Sequence, residues 1–439
     1  MAADSVTLLP PAGTHPAALL SNFGLLFENT GELAPATVDA GADAATSGRR
    51  YGFVCEETFG GRIPERLARH PDGRLFLAAF DGLHIAPSSG CGYVRATGSV
   101  DFKDVVDVVF DPADQRRVYA LTRAPAALHV SENGGQSFIA LAAANAQLAP
   151  DLRLVRLFTV AAPTGSATLV ATGFASGGVP LVILRSTDAG ASFTEQRFLA
   201  EVFARDPSLV VGVAAAVDLA GPDAWFLTAG DPTGADQIFR SIDQGQTWER
   251  VLTLRGTEIK AGITFGATAR DVYVAGREVF TSAGQPVAHL YVSQDGGGTF
   301  AAPITSPPEG PNYRCLAFAD GRLYGCGGPP GDGFLFGVSD DRGQTWQPLA
   351  TLADIDGPRP CTNGRCFATA LWLCQAYGVC AADLPGGEVP DAGRDVLSPD
   401  GAGVDVDDDG CGCRLGRGSW GRDRPGVAEA AAVLVLLAL

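Results

Sequence analysis

Lysine is almost absent from this chain of 439 residues, Met occurs once and His five times. Acidic residues outnumber basic ones 49 to 32, for a formal charge of −17. Without a basic stripe to displace counterions from phosphates, nucleic acid is disfavoured as a partner, and so are anionic membrane surfaces. C-x-x-C pairs are missing, and His15, His70, His84, His129 and His289 are scattered, so no zinc ribbon is expected. None of these His sits beside a nucleophile elbow, and Ser/His/Asp catalysis has no support. His129 and His289 read instead as strand or rim residues. No cofactor and no metal are expected. A basic-then-apolar leader is also missing after Met1.

What the chain has in quantity is 56 Gly and 29 Pro, which favour turns and short elements over long helices. Five octapeptides align without gaps. They are Ser131-Glu-Asn-Gly-Gly-Gln-Ser-Phe138, Ser186-Thr-Asp-Ala-Gly-Ala-Ser-Phe193, Ser241-Ile-Asp-Gln-Gly-Gln-Thr-Trp248, Ser293-Gln-Asp-Gly-Gly-Gly-Thr-Phe300 and Ser339-Asp-Asp-Arg-Gly-Gln-Thr-Trp346. Their starts lie 55, 55, 52 and 46 residues apart. Two eroded copies precede them. One retains Gly90 and Tyr93, the other Asn29 and Gly31. Short apolar runs flank each copy, as at 167–171, 181–185 and 249–254, and a further run lies upstream at 105–110, 210–217 and 262–267. Four short strands per unit, repeated seven times, predict a seven-bladed β-propeller of four-stranded antiparallel blades over residues 5–350.

The octapeptide has a structural task between the third and fourth strands. Asn133, Asp188, Asp243, Asp295 and Asp341 can accept hydrogen bonds from their own turns. Gly135, Gly190, Gly245, Gly297 and Gly343 supply positive φ. The hydroxyls tie the two arms, and Phe138, Phe193, Trp248, Phe300 and Trp346 pack between sheets.

These segments resemble Asp-boxes, or BNR repeats, of sialidases, sortilin-type receptors, xyloglucan hydrolases and photosystem assembly factors. That resemblance implies the fold, while function varies on the shared scaffold. The chain is also similar to uncharacterised myxobacterial surface propellers through Asn22–Phe27, Val54–Glu57 and Phe80–Leu83.

The cysteines point to an oxidising compartment. Cys55, Cys91, Cys315, Cys326, Cys361, Cys366, Cys374 and Cys380 form an even set of disulfide candidates with connectivity open. Since the chain lacks a leader, its recorded start is expected to be internal to a longer reading frame. Residues 351–382 read as a Cys-rich appendage on the last blade, and 383–410 as an acidic disordered linker. Cys411, Cys413 and the apolar end of 411–439 resemble a shortened C-terminal sorting signal of myxobacterial surface proteins. Membrane contact is expected only through that segment. Asp405–Gly410 begins like a calcium loop, but its twelfth position is Gly416, so it reads as linker.

Two functions compete. A sialidase resemblance would use Arg62 of Gly61-Arg-Ile-Pro64 as a carboxylate clamp, Asp81 as acid/base and Tyr313 as nucleophile. Arg240, Arg255 and Arg277 are available as further clamps. Xyloglucan hydrolases of this repeat class use two propellers, more than this chain can supply. The expected function is a non-catalytic, exported, monomeric binding module. It would hold a peptide, protein or glycan ligand on its loop face or in its tunnel.

Overall fold

In the computed structural model, residues are described between Thr7 and Pro358. Excepted are 11–17, 22–23, 29–50, 55–63, 124, 147, 149–151, 161–167, 176–180, 198–215, 221–222, 231–234, 257, 279–286, 307–310, 328–334 and 352–353. Seven antiparallel sheets of four consecutive strands make seven blades. Their first strands are Thr7–Leu9, Arg66–Arg69, Val105–Phe110, Leu152–Val160, Ala216–Ala220, Glu258–Phe265 and Cys315–Ala319. Each first strand touches that of the next blade, and the seventh touches the first, closing a ring around an axis. The only described helix is the single turn Ala142–Asn145.

Apolar second and third strands build the core. Buried sets lie between consecutive blades rather than within one sheet. Phe76, Val118 and Phe138 join blades 2 and 3. Val170, Trp225 and Trp248 join blades 4 and 5. Tyr273, Leu290, Tyr313 and Leu323 join blades 6 and 7. The ring closes through Tyr51 and Phe336, whose ring centroids are 5.5 Å apart edge to face.

The octapeptide turns sit where the sequence places them, between third and fourth strands. In four blades the Ser hydroxyl donates to the Asp carboxylate, as Ser186 Oγ to Asp188 Oδ1 at 2.7 Å. The same Oγ accepts the Gly N–H two residues beyond that Asp, as Gly190 N at 2.8 Å. Asp188 Oδ1 accepts from Ser192 N at 2.9 Å and Oδ2 from the Ser192 hydroxyl at 2.5 Å. Asp243, Asp295 and Asp341 repeat the arrangement with Thr247, Thr299 and Thr345. Asn133 copies it with one reversal: its Nδ2 donates to Ser137 Oγ at 2.8 Å.

Sequence reading assigns positive φ to one glycine, but the turn needs it twice. Ala189, Gln244 and Arg342, just before that glycine, have φ of 60°, 60° and 62°. The glycine also abuts the preceding blade. A Cβ on Gly135 would lie 2.4 Å from the Phe76 ring, and one on Gly297 2.4 Å from Phe226. The position is therefore a contact between blades as well as a turn.

The segment expected as an appendage on the last blade begins otherwise. Ile355–Pro358 adds to the outer edge of the first blade, parallel to Tyr51–Val54. An outer strand has unpaired backbone groups, and a chain leaving blade 7 reaches the next exposed edge in the ring. Thr97–Gly98 pairs in the same way with the outer strand of blade 3. Cys361, Cys366, Cys374, Cys380, Cys411 and Cys413 lie outside the described residues, as do Asn29, Gly31, Cys55 and Arg62. Cys315 and Cys326 face each other in register across two strands of blade 7 and form a disulfide. Cys91 is also disulfide-bonded.

Candidate functional site

First strands of blades 1, 2, 3, 4, 6 and 7 line an open cavity of about 510 Å³ at the axis. Its apolar side chains come from blade 1 (Leu8, Leu9), blade 2 (Leu67, Ala68), blade 3 (Val108 to Phe110), blade 6 (Ala261, Ile263) and blade 7 (Leu316). Cations line it from blades 2, 4 and 6: Arg66 and Arg69, Arg156, and Lys260. No carboxylate lines it among the described residues.

Bulges place this chemistry. The pairing of first and second strands slips by one residue between Val105 and Asp107, Leu154 and Arg156, Val217 and Leu219, and Lys260 and Gly262. A bulge turns a side chain out of strict alternation, and Arg156 and Lys260 stand at two of these. The blade 6 strand accordingly begins at Glu258, before the run 262–267 expected from sequence. Gly262 is pressed against blade 7, where a Cβ would lie 2.8 Å from Leu316 N.

One acid stands behind the cations. Asp107 is buried, and its Oδ1 lies 3.4 Å from Arg66 Nε. Its carboxylate also accepts Val108 N and Leu157 N, each at 2.9 Å, so it ties blades 2, 3 and 4 together. Arg69 Nη1 donates to Pro10 O at 2.5 Å, and burial pulls its guanidinium below the ordinary value.

Two buried polar clusters lie elsewhere. Glu258, fully buried, pairs with His289 Nδ1 and accepts from Tyr291 OH at 2.7 Å and Arg255 N at 3.1 Å. Burial and the Glu258 carboxylate push the Tyr291 hydroxyl well above its usual range. His129 lies between Ser99 Oγ at 2.8 Å and Thr122 Oγ1 at 3.1 Å, and burial lowers its pKa to about 4. Both His are on third strands and inside the fold.

The sialidase set is not assembled. Tyr313 is fully buried between blades 6 and 7, its ring 5.8 Å edge to face from Trp346. Burial raises its hydroxyl far above the usual phenol range, the opposite of what a nucleophile needs. Asp81 is in the tight turn of blade 2, held by His84 Nε2 at 2.8 Å and 3.7 Å from Arg95 Nη1. The two residues occupy different blades, and Arg62 is outside the described residues. Among the described residues no group of three His, Cys, Asp or Glu could hold a metal, and no helix is long and apolar enough to cross a membrane.

Sequence reasoning missed Arg66, Arg69, Asp107, Arg156 and Lys260. Their signal is a charge inside a first-strand run, which is legible only once the blade boundaries are known.

No family model matches the chain, and no curated protein is significantly similar to it. Among solved structures it is similar to an ancestral GH74 enzyme, with 14% identity over 78% of this chain and a TM-score of 0.47. This chain spans 44% of that protein. A GH74 enzyme from Niastella koreensis matches at 16% identity over 82% of this chain and 68% of its own, with a TM-score of 0.39. The GH74 xyloglucanase from Xanthomonas campestris matches at 15% over 76% and 66%, with a TM-score of 0.34. No chemistry is carried over from them.

Proposed function

We propose that the chain is an exported, non-catalytic propeller of the Asp-box class that captures a peptide, protein or glycan ligand, with the central tunnel as the receptor. The observation carrying this reading is the 510 Å³ cavity lined by first strands of six blades, where charged side chains from blades 2, 4 and 6 meet aliphatic ones. Ligand sites are commonly concave, largely preformed and of this size. The burial of Tyr313 and the engagement of Asp81 by His84 count against the hydrolytic alternative. Hydrogen-bonded turns repeated in five blades support the Asp-box assignment, and the Cys315–Cys326 disulfide supports export. The C-terminal segment with Cys411 and Cys413 would hold the chain at the cell surface.

Incubating the folded protein on an array of peptides and oligosaccharides tests the reading, with saturable capture as the expected result. A fluorogenic sialoside should remain intact. Turnover that disappears in Arg62→Ala would overturn the non-catalytic assignment. Thiol titration of the denatured, unreduced protein should find few free cysteines, and a full complement of free thiols would remove the case for export.

A further inference from the structure

We propose a second binding site, on the loop face of blades 2 and 3, for a neutral glycan whose sugar ring stacks on Phe102. Phe80, Asp81, Arg95, Asp101 and Phe102 do not line the axial cavity, so this site stands apart from the tunnel. The hairpin at Phe80 and Asp81 joins second and third strands, and residues 99–104 lead from blade 2 into blade 3. In antiparallel blades both lie at the end opposite the octapeptide turns.

Phe102 is a costly residue where it stands. It is third in a turn closed by Lys103 N–H on Val100 O at 3.2 Å, a place where Gly or Asn relieves strain. Its φ is 54°, in the left-handed region that a bulky side chain resists. The residue is 70% exposed, so burial does not offset that strain, and Phe80 nearby is 51% exposed. Strain of this kind clusters at ligand sites.

The support beneath the ring is fixed. Val100 is fully buried, Ser99 N donates to Phe138 O at 3.0 Å, and Ser99 Oγ lies 2.8 Å from buried His129 Nδ1. The platform is therefore preformed.

Arg95 selects the ligand. Its guanidinium carbon lies 3.7 Å from the centroid of Phe102, covering one face of the ring and leaving the other to solvent. Gly82 gives it passage, since a Cβ there would lie 2.9 Å from Arg95 Cδ. Asp101 Oδ1 is 2.8 Å from Arg95 Nε, and Asp81 Oδ2 is 3.7 Å from Nη1. A cation on the outer face would meet the guanidinium behind the ring, and an anion would meet two carboxylates. Lys103, exposed beside them, balances the signs. A neutral sugar avoids both penalties. Its C–H face suits the negative face of a phenyl ring, and its hydroxyls donate to the carboxylates and accept from the guanidinium. An apolar peptide side chain seeks a hollow, whereas these rings stand on turns.

Native electrophoresis through gels containing polysaccharide tests the site. Hydroxyethyl cellulose, galactomannan and dextran are the neutral probes, and polygalacturonate is the anionic one. At least one neutral probe is expected to retard the folded protein. Phe102→Gly should weaken that retardation at least about tenfold, while its melting temperature stays within about 3 °C because glycine relaxes the turn. Phe102→Tyr, which keeps the flat ring, should retain it. The proposal falls if no neutral probe retards the protein, if Phe102→Gly is retarded equally, or if polygalacturonate retards it more strongly. A melting loss beyond about 8 °C in Phe102→Gly would also overturn it, by making the ring a packing residue. Peptide capture that Phe102→Gly removes, without glycan retardation, would make the platform a peptide site instead. The axial reading is judged separately, by array capture that persists in Phe102→Gly.

Discussion

The outer turns and the inner strands belong to the same blades, and they follow opposite rules. In the turns, five blades repeat one hydrogen-bond pattern, down to a Gly N–H on the Ser hydroxyl at 2.7 to 2.9 Å. In the inner strands, equivalent positions differ in charge. Counted from the bulge, Asp107 in blade 3 corresponds to Arg156 in blade 4, Leu219 in blade 5 and Gly262 in blade 6. Repetition marks what each blade must do to stand against its neighbour. Variation marks what the ring presents at its centre, where no two blades need to do the same thing.

The comparison breaks most visibly at the turn glycine. Gly297→Val adds a branched side chain at φ of 80°, with its Cβ 2.4 Å from the Phe226 ring. Left-handed backbone costs about 1–2 kcal/mol for a non-glycine residue, and overfilling a packed contact costs about 1–3 kcal/mol more. Loss of about 4 kcal/mol in denaturant unfolding is expected from the two together. A loss below about 1 kcal/mol would mean that the blades can shift apart at this point.

Removing the hydroxyl below that glycine should cost less. Ser293 Oγ, in a buried residue, donates to Asp295 at 2.7 Å and accepts from Gly297 N at 2.8 Å. Ser293→Ala leaves that N–H without its acceptor, for an expected loss of about 2 kcal/mol. Ser131→Ala in blade 3 should behave alike if the turns are interchangeable, because its Oγ makes the same two bonds. Chemical denaturation of both variants checks it.

Acid should distinguish the turns next. The Ser192 hydroxyl and Ser186 hold Asp188 at about 2, below its ordinary value. Backbone and side-chain bonds from Thr299 with Ser293 hold Asp295 lower still. Burial opposes the shift at Asp243 and Asp341, and the bonds from Thr247 and Thr345 outweigh it. A depressed folded value contributes stability above the unfolded value of about 4, and loses it as pH falls through the folded one. Melting temperature is therefore expected to hold down to about pH 4 and to fall towards pH 2. Asp188→Asn should start lower at neutral pH and show a shallower acid limb. An unchanged limb would show that the carboxylate gains nothing over the amide that blade 3 already uses in Asn133.

The fold was legible because a turn needing Ser, Asp or Asn, and Gly at fixed spacing leaves nearly the same letters in five of the seven blades. The second positive φ stayed hidden. Ala189, Gln244 and Arg342 have no common chemistry, and the conformation is imposed on them by the glycine and the Ser–Asp bonds on either side. The parallel pairing of Ile355–Pro358 was hidden too, because it depends on which edge the ring leaves exposed. Tyr313 shows the limit for sites. Its local sequence fits a nucleophile, whereas its place between Trp346 and the blade 6 core makes it packing. The tunnel cations were unreadable for a related reason: a bulge changes which side of a strand a residue faces, and nothing in Leu-Val-Arg or Ile-Lys-Ala announces a bulge.

The smallest stability effect is expected at the tunnel itself. Arg156 is half-buried, and no described carboxylate pairs with its guanidinium. Arg156→Ala removes a long side chain's packing but also a cation from a cavity that other cations line. These contributions have opposite signs, and the net change should fall within about 0.5 kcal/mol. The electrostatic part is the one that salt can reach. Urea unfolding at low ionic strength should favour the variant slightly, and about 0.5 M salt should remove that advantage. Loss on the scale of Ser293→Ala would place Arg156 with the turns, as a residue kept for standing the blades together. A neutral result leaves its charge without a structural reason, which is what a residue kept for a ligand should show.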